Sequence, residues 1–174
     1  NDVAAGEGRK AIVDEMTAQI AFPRSYLDQS RLELKQRATD NNLEAVIEGR
    51  KRATSLARFS TGGAIGVRGR AIRVAVKPGS NRTMRNAFLV RLRAGKSISE
   101  DNFNVGLAIR LKPGETIANK REMSSVQLSH NVYILYGPSV DQVFRTVAED
   151  VSPKIAEQVE TEFFRQFGRL AGGF

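Results

Sequence analysis

From residue 43 onward, apolar residues fall at every second position in separate runs, each closed by turn-forming residues. Leu43, Ala45 and Ile47 alternate with Glu44, Val46 and Glu48. Ile72, Val74 and Val76 alternate with Ala71, Arg73 and Ala75, before Lys77-Pro78-Gly79-Ser80. In Ala87–Ala94, Phe88, Val90 and Leu92 point one way, and Arg91 and Arg93 the other. In Asn104–Lys112, Val105, Leu107, Ile109 and Leu111 point inward, with Gly106, Ala108 and Arg110 outward. Asn131–Tyr136, an apolar run, is the fifth strand. A period of two is that of an extended chain, whose successive side chains leave on opposite sides. Clean alternation predicts an antiparallel sheet with one buried and one exposed face, not a doubly wound parallel sheet. Pro78 and Gly79 occupy the second and third places of a type II turn. The similar Leu111-Lys112-Pro113-Gly114 reads as a shared way of ending strands, since the flanking residues do not repeat.

Helical periodicity brackets these strands. Ile12, Met16 and Ile20 recur at intervals of four, predicting a helix over Gly8–Phe22 that Pro23 stops. Leu27, Leu32 and Leu34 place a second, less regular helix at about Arg24–Arg37, and Asp40-Asn41-Asn42 reads as a turn. Val140, Val143, Phe144 and Val147 begin a helix after Ser139. Ser152-Pro153 reads as a fresh start, with Ser as N-cap and Pro in the first helical position. Ile155, Val159, Phe163, Phe167 and Leu170 then form a stripe that ends at Gly172-Gly173. The expected fold is α+β, a single domain over 1–174. Residues 1–40 form a helical part, 41–137 a basic and mainly β part, and 138–174 the C-terminal helices.

Charge is segregated along the chain. Gly49 to Ser99 holds 13 Lys and Arg residues and no Asp or Glu, while the remainder holds 14 basic against 19 acidic residues. Arg68, Arg70, Arg73, Lys77, Arg82, Arg85, Arg91, Arg93 and Lys96 are the candidate contact residues of this stretch. Such asymmetry suits a polyanion or an acidic protein surface. A subunit interface against the acidic remainder of a neighbouring copy fits first. Binding to nucleic-acid phosphates fits second, because Phe59 and Phe88 are the only aromatic residues here and offer no stacking platform. A plain solvated face is the third reading.

Other constellations are weaker. With no cysteine and only His130 as histidine, thiolate chemistry and multi-histidine metal sites are excluded within one chain. Ser129 and His130 are neighbours, so on a strand their side chains point apart. Glu44 and Glu48 would stand about 13 Å apart on a strand, too far for a retaining carboxylate pair. No apolar run reaches the roughly 18–20 residues of a spanning helix, and no signal-peptide pattern is present. Gly137-Pro138-Ser139 sits where a phosphate loop would, but it lacks further glycines and a nearby lysine. Ser139 and Gln142 have the spacing of a capping box, so Gly137, Pro138, Ser139 and Gln142 read as a strand-to-helix corner.

The stretch VYILYGPSVDQVFRTVAEDVSPKIAEQVETEFFRQFGRL (132–170) resembles the minor tail protein Z family of tailed bacteriophages and prophages. NNLEAVIEGRKRATSLARF (41–59) and NAFLVRLRAG (86–95) support the resemblance, which covers about residues 9–170. It implies a virion structural protein, assembled in the host cytoplasm, that completes the head-proximal end of the tail and joins it to a filled head. It further implies a homo-oligomeric ring of six or twelve copies, with other neck and tail proteins as partners. Genomic DNA passing through the lumen is a possible contact; no enzymatic activity, cofactor or membrane is implied.

Overall fold

The computed structural model describes residues 6–171 apart from 29, 40, 43, 68–69, 94–102 and 118–123. The chain divides into two compact units. The first comprises Asn1–Gln19, Arg24–Lys51 and Val140–Phe174, and the second Ile20–Pro23 and Arg52–Ser139.

In the first unit, helix α1 (Glu7–Gln19) buries Ile12, Val13 and Met16. These lie on one face because three- and four-residue steps return to the same side of a helix. A 3₁₀ turn at Arg24–Tyr26 follows. The expected second helix is not formed: Leu32–Gln36 is strand β1, antiparallel to β2 (Val46–Gly49). The two-residue spacing of Leu32 and Leu34 decides this. Leu32 is fully buried and Glu33 and Lys35 are exposed, which is an extended pattern. The connecting turn closes with reciprocal backbone bonds between Thr39 and Asn42, as the Asx-rich composition leads one to expect. Arg31 extends the ladder by accepting from the Arg50 amide, and its guanidinium lies 4.4 Å from the Tyr26 ring centre.

Helix α2 (Val140–Ala171) completes this unit and runs unbroken through Pro153. Ser152-Pro153 is therefore no helix start. Ser152 Oγ donates to the Ala148 carbonyl at 2.6 Å, the back-bond of a serine inside a helix. Pro153 forfeits only the bond to Glu149, an exposed residue whose carbonyl water can serve. What changes at this point is burial. Val140, Val143, Val147 and Val151 are at most 8% exposed and pack with α1 and β2, whereas the following turns are largely solvated.

The second unit holds β3 (Ala53–Ser55), β4 (Ser60–Thr61), β5 (Ile72–Val74), β6 (Arg82–Met84), β7 (Ala87–Arg93), β8 (Phe103–Arg110), β9 (Ser124–Ser129) and β10 (Val132–Ser139). A five-stranded antiparallel sheet runs β3-β10-β8-β7, with β9 also paired to β10. β4, β5 and β6 make a smaller sheet. The fold is α+β, as the patterning predicts. Lys77–Ser80 closes as a turn, with the Ser80 amide on the Lys77 carbonyl at 3.1 Å and Gly79 at φ 77°.

The expectation of one buried and one exposed sheet face is corrected. Phe88 pairs with Ala108 and Leu89 with Leu107, so the residues read as inward on β7 and on β8 lie on opposite faces. Leu107 and Ala108 are both 0% exposed, and Ile134 and Leu135 are 4% and 0%. In a strand covered on both sides neighbouring residues are buried alike, so alternation in its sequence does not mark one face as exposed. Against the Leu107–Leu135 face pack Leu56 and Phe59 of a 3₁₀ helix (Leu56–Phe59), whose Ser55 N-cap accepts from the Ala57 amide. Phe22 meets Phe59 with ring centres 5.4 Å apart.

Candidate functional site

The Gly-Pro-Ser corner is built differently from its sequence reading. Gly137-Pro138-Ser139 continues β10, pairing Gly137 with Thr54 and Ser139 with Ala53 across a bulge at Pro138. Proline has no amide hydrogen for a ladder, which is why it sits at a bulge. Gly137 faces the 3₁₀ helix, where a Cβ would come within 3.1 Å of Phe59 Cε2. Ser139, 2% exposed, immediately precedes α2, and Gln142 lies exposed in its first turn. The second amide of α2 is satisfied from afar, because Asp141 N–H donates to the Arg50 carbonyl at 3.1 Å.

The candidate cations are distributed over two sheets. Arg70, Arg73 on β5, Lys77 in the following turn and Arg82 on β6 are all exposed. Arg82 pairs with Val74 while Arg73 pairs with Thr83, so these two arginines leave the small sheet on opposite faces. Arg91 is exposed on β7, and Arg93 is the last residue of that strand. Arg68 and Lys96 lie outside the described residues. The candidates therefore do not form one row.

Arg85 joins a concave site. Strand register brings the start of β7, the end of β8 and the start of β10 to one end of the central sheet, through Ala87–Ile109 and Arg110–Val132. Three turns surround the gap and leave an open cleft of about 600 Å³. Arg85 and Asn86 line it from the first turn, Arg110 and Lys112 from the second, and His130 and Asn131 from the third. Phe88 contributes an apolar wall. Asn131 takes a left-handed φ of 59°, which asparagine tolerates, and its carbonyl accepts from the Leu111 amide at 2.8 Å. None of the described lining residues is acidic. The Glu115 carboxylate is spent on the Lys112 amide at 2.7 Å.

Arg110, Lys112 and His130 escape a reading based on the acid-free stretch, because they lie outside it. Their only sequence signals are a strand-ending Lys-Pro-Gly and a single histidine. His130 lies in a turn, not on a strand beside Ser129. Chemically, three cations and two amides around an open cleft suit an anion held by charge-assisted hydrogen bonds. Among the described residues no group of three His, Asp or Glu side chains is placed to hold a metal ion. No described helix is long and apolar enough to cross a membrane.

Charge separates by unit as well as by sequence segment, though less sharply. The second unit carries 15 Lys and Arg against 4 Asp and Glu, a net +11. The first carries 12 against 15, a net −3. Comparisons of the chain with protein-family models, curated proteins and solved structures found no match.

Proposed function

We propose that the chain is a structural subunit of the neck or tail end of a tailed bacteriophage, acting in the virion as part of a homo-oligomeric ring of six or twelve copies. In this role it completes the head-proximal end of the tail and joins it to the head together with other neck and tail proteins. The observation that carries the proposal is the opposite charge of the two units, set beside the resemblance of residues 132–170. A ring closes through heterologous contacts between unlike surfaces. A basic unit of one copy facing the acidic unit of the next supplies such a contact and biases its register. The test is the native mass of the protein and of an Arg73→Glu/Arg91→Glu variant. Wild type is expected as a closed oligomer that complements a tail-completion defect, and the variant as smaller species that do not. Wild type that stays monomeric under all ionic conditions, or a variant that assembles and joins heads normally, overturns the reading.

The cleft favours a second reading, contact with a nucleic-acid backbone. Arg85, Arg110 and Lys112 line an open cleft without a described acidic lining residue. Three phosphate contacts on duplex DNA correspond to a log–log salt slope of about −2.7. Arg85→Ala with Arg110→Ala should weaken duplex binding and flatten that slope toward about −0.9. Absence of duplex binding at low salt removes this reading.

A further inference from the structure

The cleft at the end of the central sheet offers more than a duplex backbone uses. A duplex is a regular rod of phosphates, and a protein meets it with cations spread in a stripe. Arg85, Arg110 and Lys112 gather instead around one concavity. Its volume of about 600 Å³ lies within the range of small-molecule sites, roughly 300–1,000 Å³. An inorganic phosphate would fill little of it. Much of the remaining wall is apolar, made by Ala87, Phe88, Leu111 and Pro113.

Phe88 is the part that chooses the ligand. It is half-buried, and its ladder partner is Ala108, with Ile134 beyond. A ring rooted in a sheet is held more firmly than one on a loop. The amides of Asn86 and Asn131 each carry donors and an acceptor, and with His130 they suit the mixed edge of a base or the hydroxyls of a sugar. The Leu111 amide on the Asn131 carbonyl ties two of the turns together, so these groups are positioned before a ligand arrives. An acidic peptide would use the cations and leave the ring without a flat partner.

We infer that the cleft binds one nucleotide unit, its phosphate among Arg85, Arg110 and Lys112 and its base stacked on Phe88. One ring accepts one base, so the ligand is a free nucleotide or a single position of a single strand, not a run of stacked bases. This assignment rests on the reading of the cleft as a phosphate contact and adds the base to it.

The chain contains no tryptophan, so Phe88→Trp supplies a lone fluorescent reporter in the cleft. Adenosine monophosphate or a short oligothymidylate should quench it by stacking, and inorganic phosphate should not. Quenching by the mononucleotide assigns the site to free nucleotides as well, and quenching by the strand alone assigns it to single strands. In anisotropy measurements at low salt, Phe88→Leu, which keeps an apolar wall, should lower strand affinity about tenfold more than duplex affinity. Arg85→Ala with Arg110→Ala should weaken both. Absence of quenching by either ligand, or equal effects of Phe88→Leu on strand and duplex, overturns the inference and leaves the phosphate contact standing. Displacement of the strand by a glutamate-rich peptide as readily as by a second strand of equal charge points to a protein carboxylate and overturns it too. No binding of strand, duplex or mononucleotide overturns both.

Discussion

Gly49 lies under the first turn of α2, where a Cβ would stand 2.7 Å from the Asp141 Cα and 2.9 Å from its nitrogen. Backbone cannot step aside as a side-chain tip can. Gly49→Ala should therefore destabilise the first unit by about 1–3 kcal/mol, read as a shift of the urea midpoint. In the sequence Gly49 looks like the end of a strand, and nothing local announces the helix above it. Glu162 shows the opposite case, a pairing legible from spacing alone. Its carboxylate takes both arms of Arg165, at 2.6 and 2.7 Å, and the Gln166 amide at 2.7 Å. Hydrogen bonding from Arg165, then from Gln166, lowers its pKa to about 2. Because the folded value is depressed, this stabilisation is present above the ordinary glutamate range and is lost as pH falls through about 2. NMR titration of the Glu162 carboxyl should show that midpoint, and Arg165→Ala should move it upward. Asp28 is lowered in the same direction by its Ser30 hydrogen bonds and by Arg31.

Among elements, α2 separates two readings of Ser152-Pro153. As an N-cap, Ser152 would be worth about 1 kcal/mol, and its replacement by alanine would fray the following helix. Inside a continuous helix, Ser152→Ala should leave thermal stability nearly unchanged. Pro153→Ala should raise helicity and stability by up to about 3 kcal/mol, because it restores an amide and a relaxed turn. Circular dichroism with thermal melts distinguishes the two. The dipeptide misleads because the same residues that start helices are tolerated within one where the freed carbonyl faces water. β1 misleads in another way. Its two leucines, with Leu27 before them, fit a loose helical period, yet Leu32 is fully buried in a strand paired with β2. Most strands of the central sheet are legible, from the alternation in β7 and β8 and the apolar run of β10, but β3 and β9 are not. β3 is three residues long, and β9 offers only Val126 and Leu128 among polar neighbours, too short a pattern to stand out.

For the whole molecule, unlike-charge assembly predicts an ionic-strength dependence, because exposed contacts are screened over about 10 Å at 0.1 M salt. Light scattering should show oligomers at low salt dissociating as salt is raised. Oligomers unaffected by salt would remove the charge-driven contact. The basic character of the chain, its α+β class, the apolar face of α1 and the stripe on α2 follow from sequence alone. Periodicity and charge are properties of neighbouring residues, and they survive whatever the rest of the chain does. The cleft of Arg85, Arg110, Lys112 and His130, the support of the α2 amide by Arg50 and the burial of both faces of β8 belong to tertiary structure. Each depends on strand register or on two segments far apart in sequence meeting. The stripe on α2 joins the two levels: its period sets which residues share a face, and the packing of the unit decides that this face stays open to water.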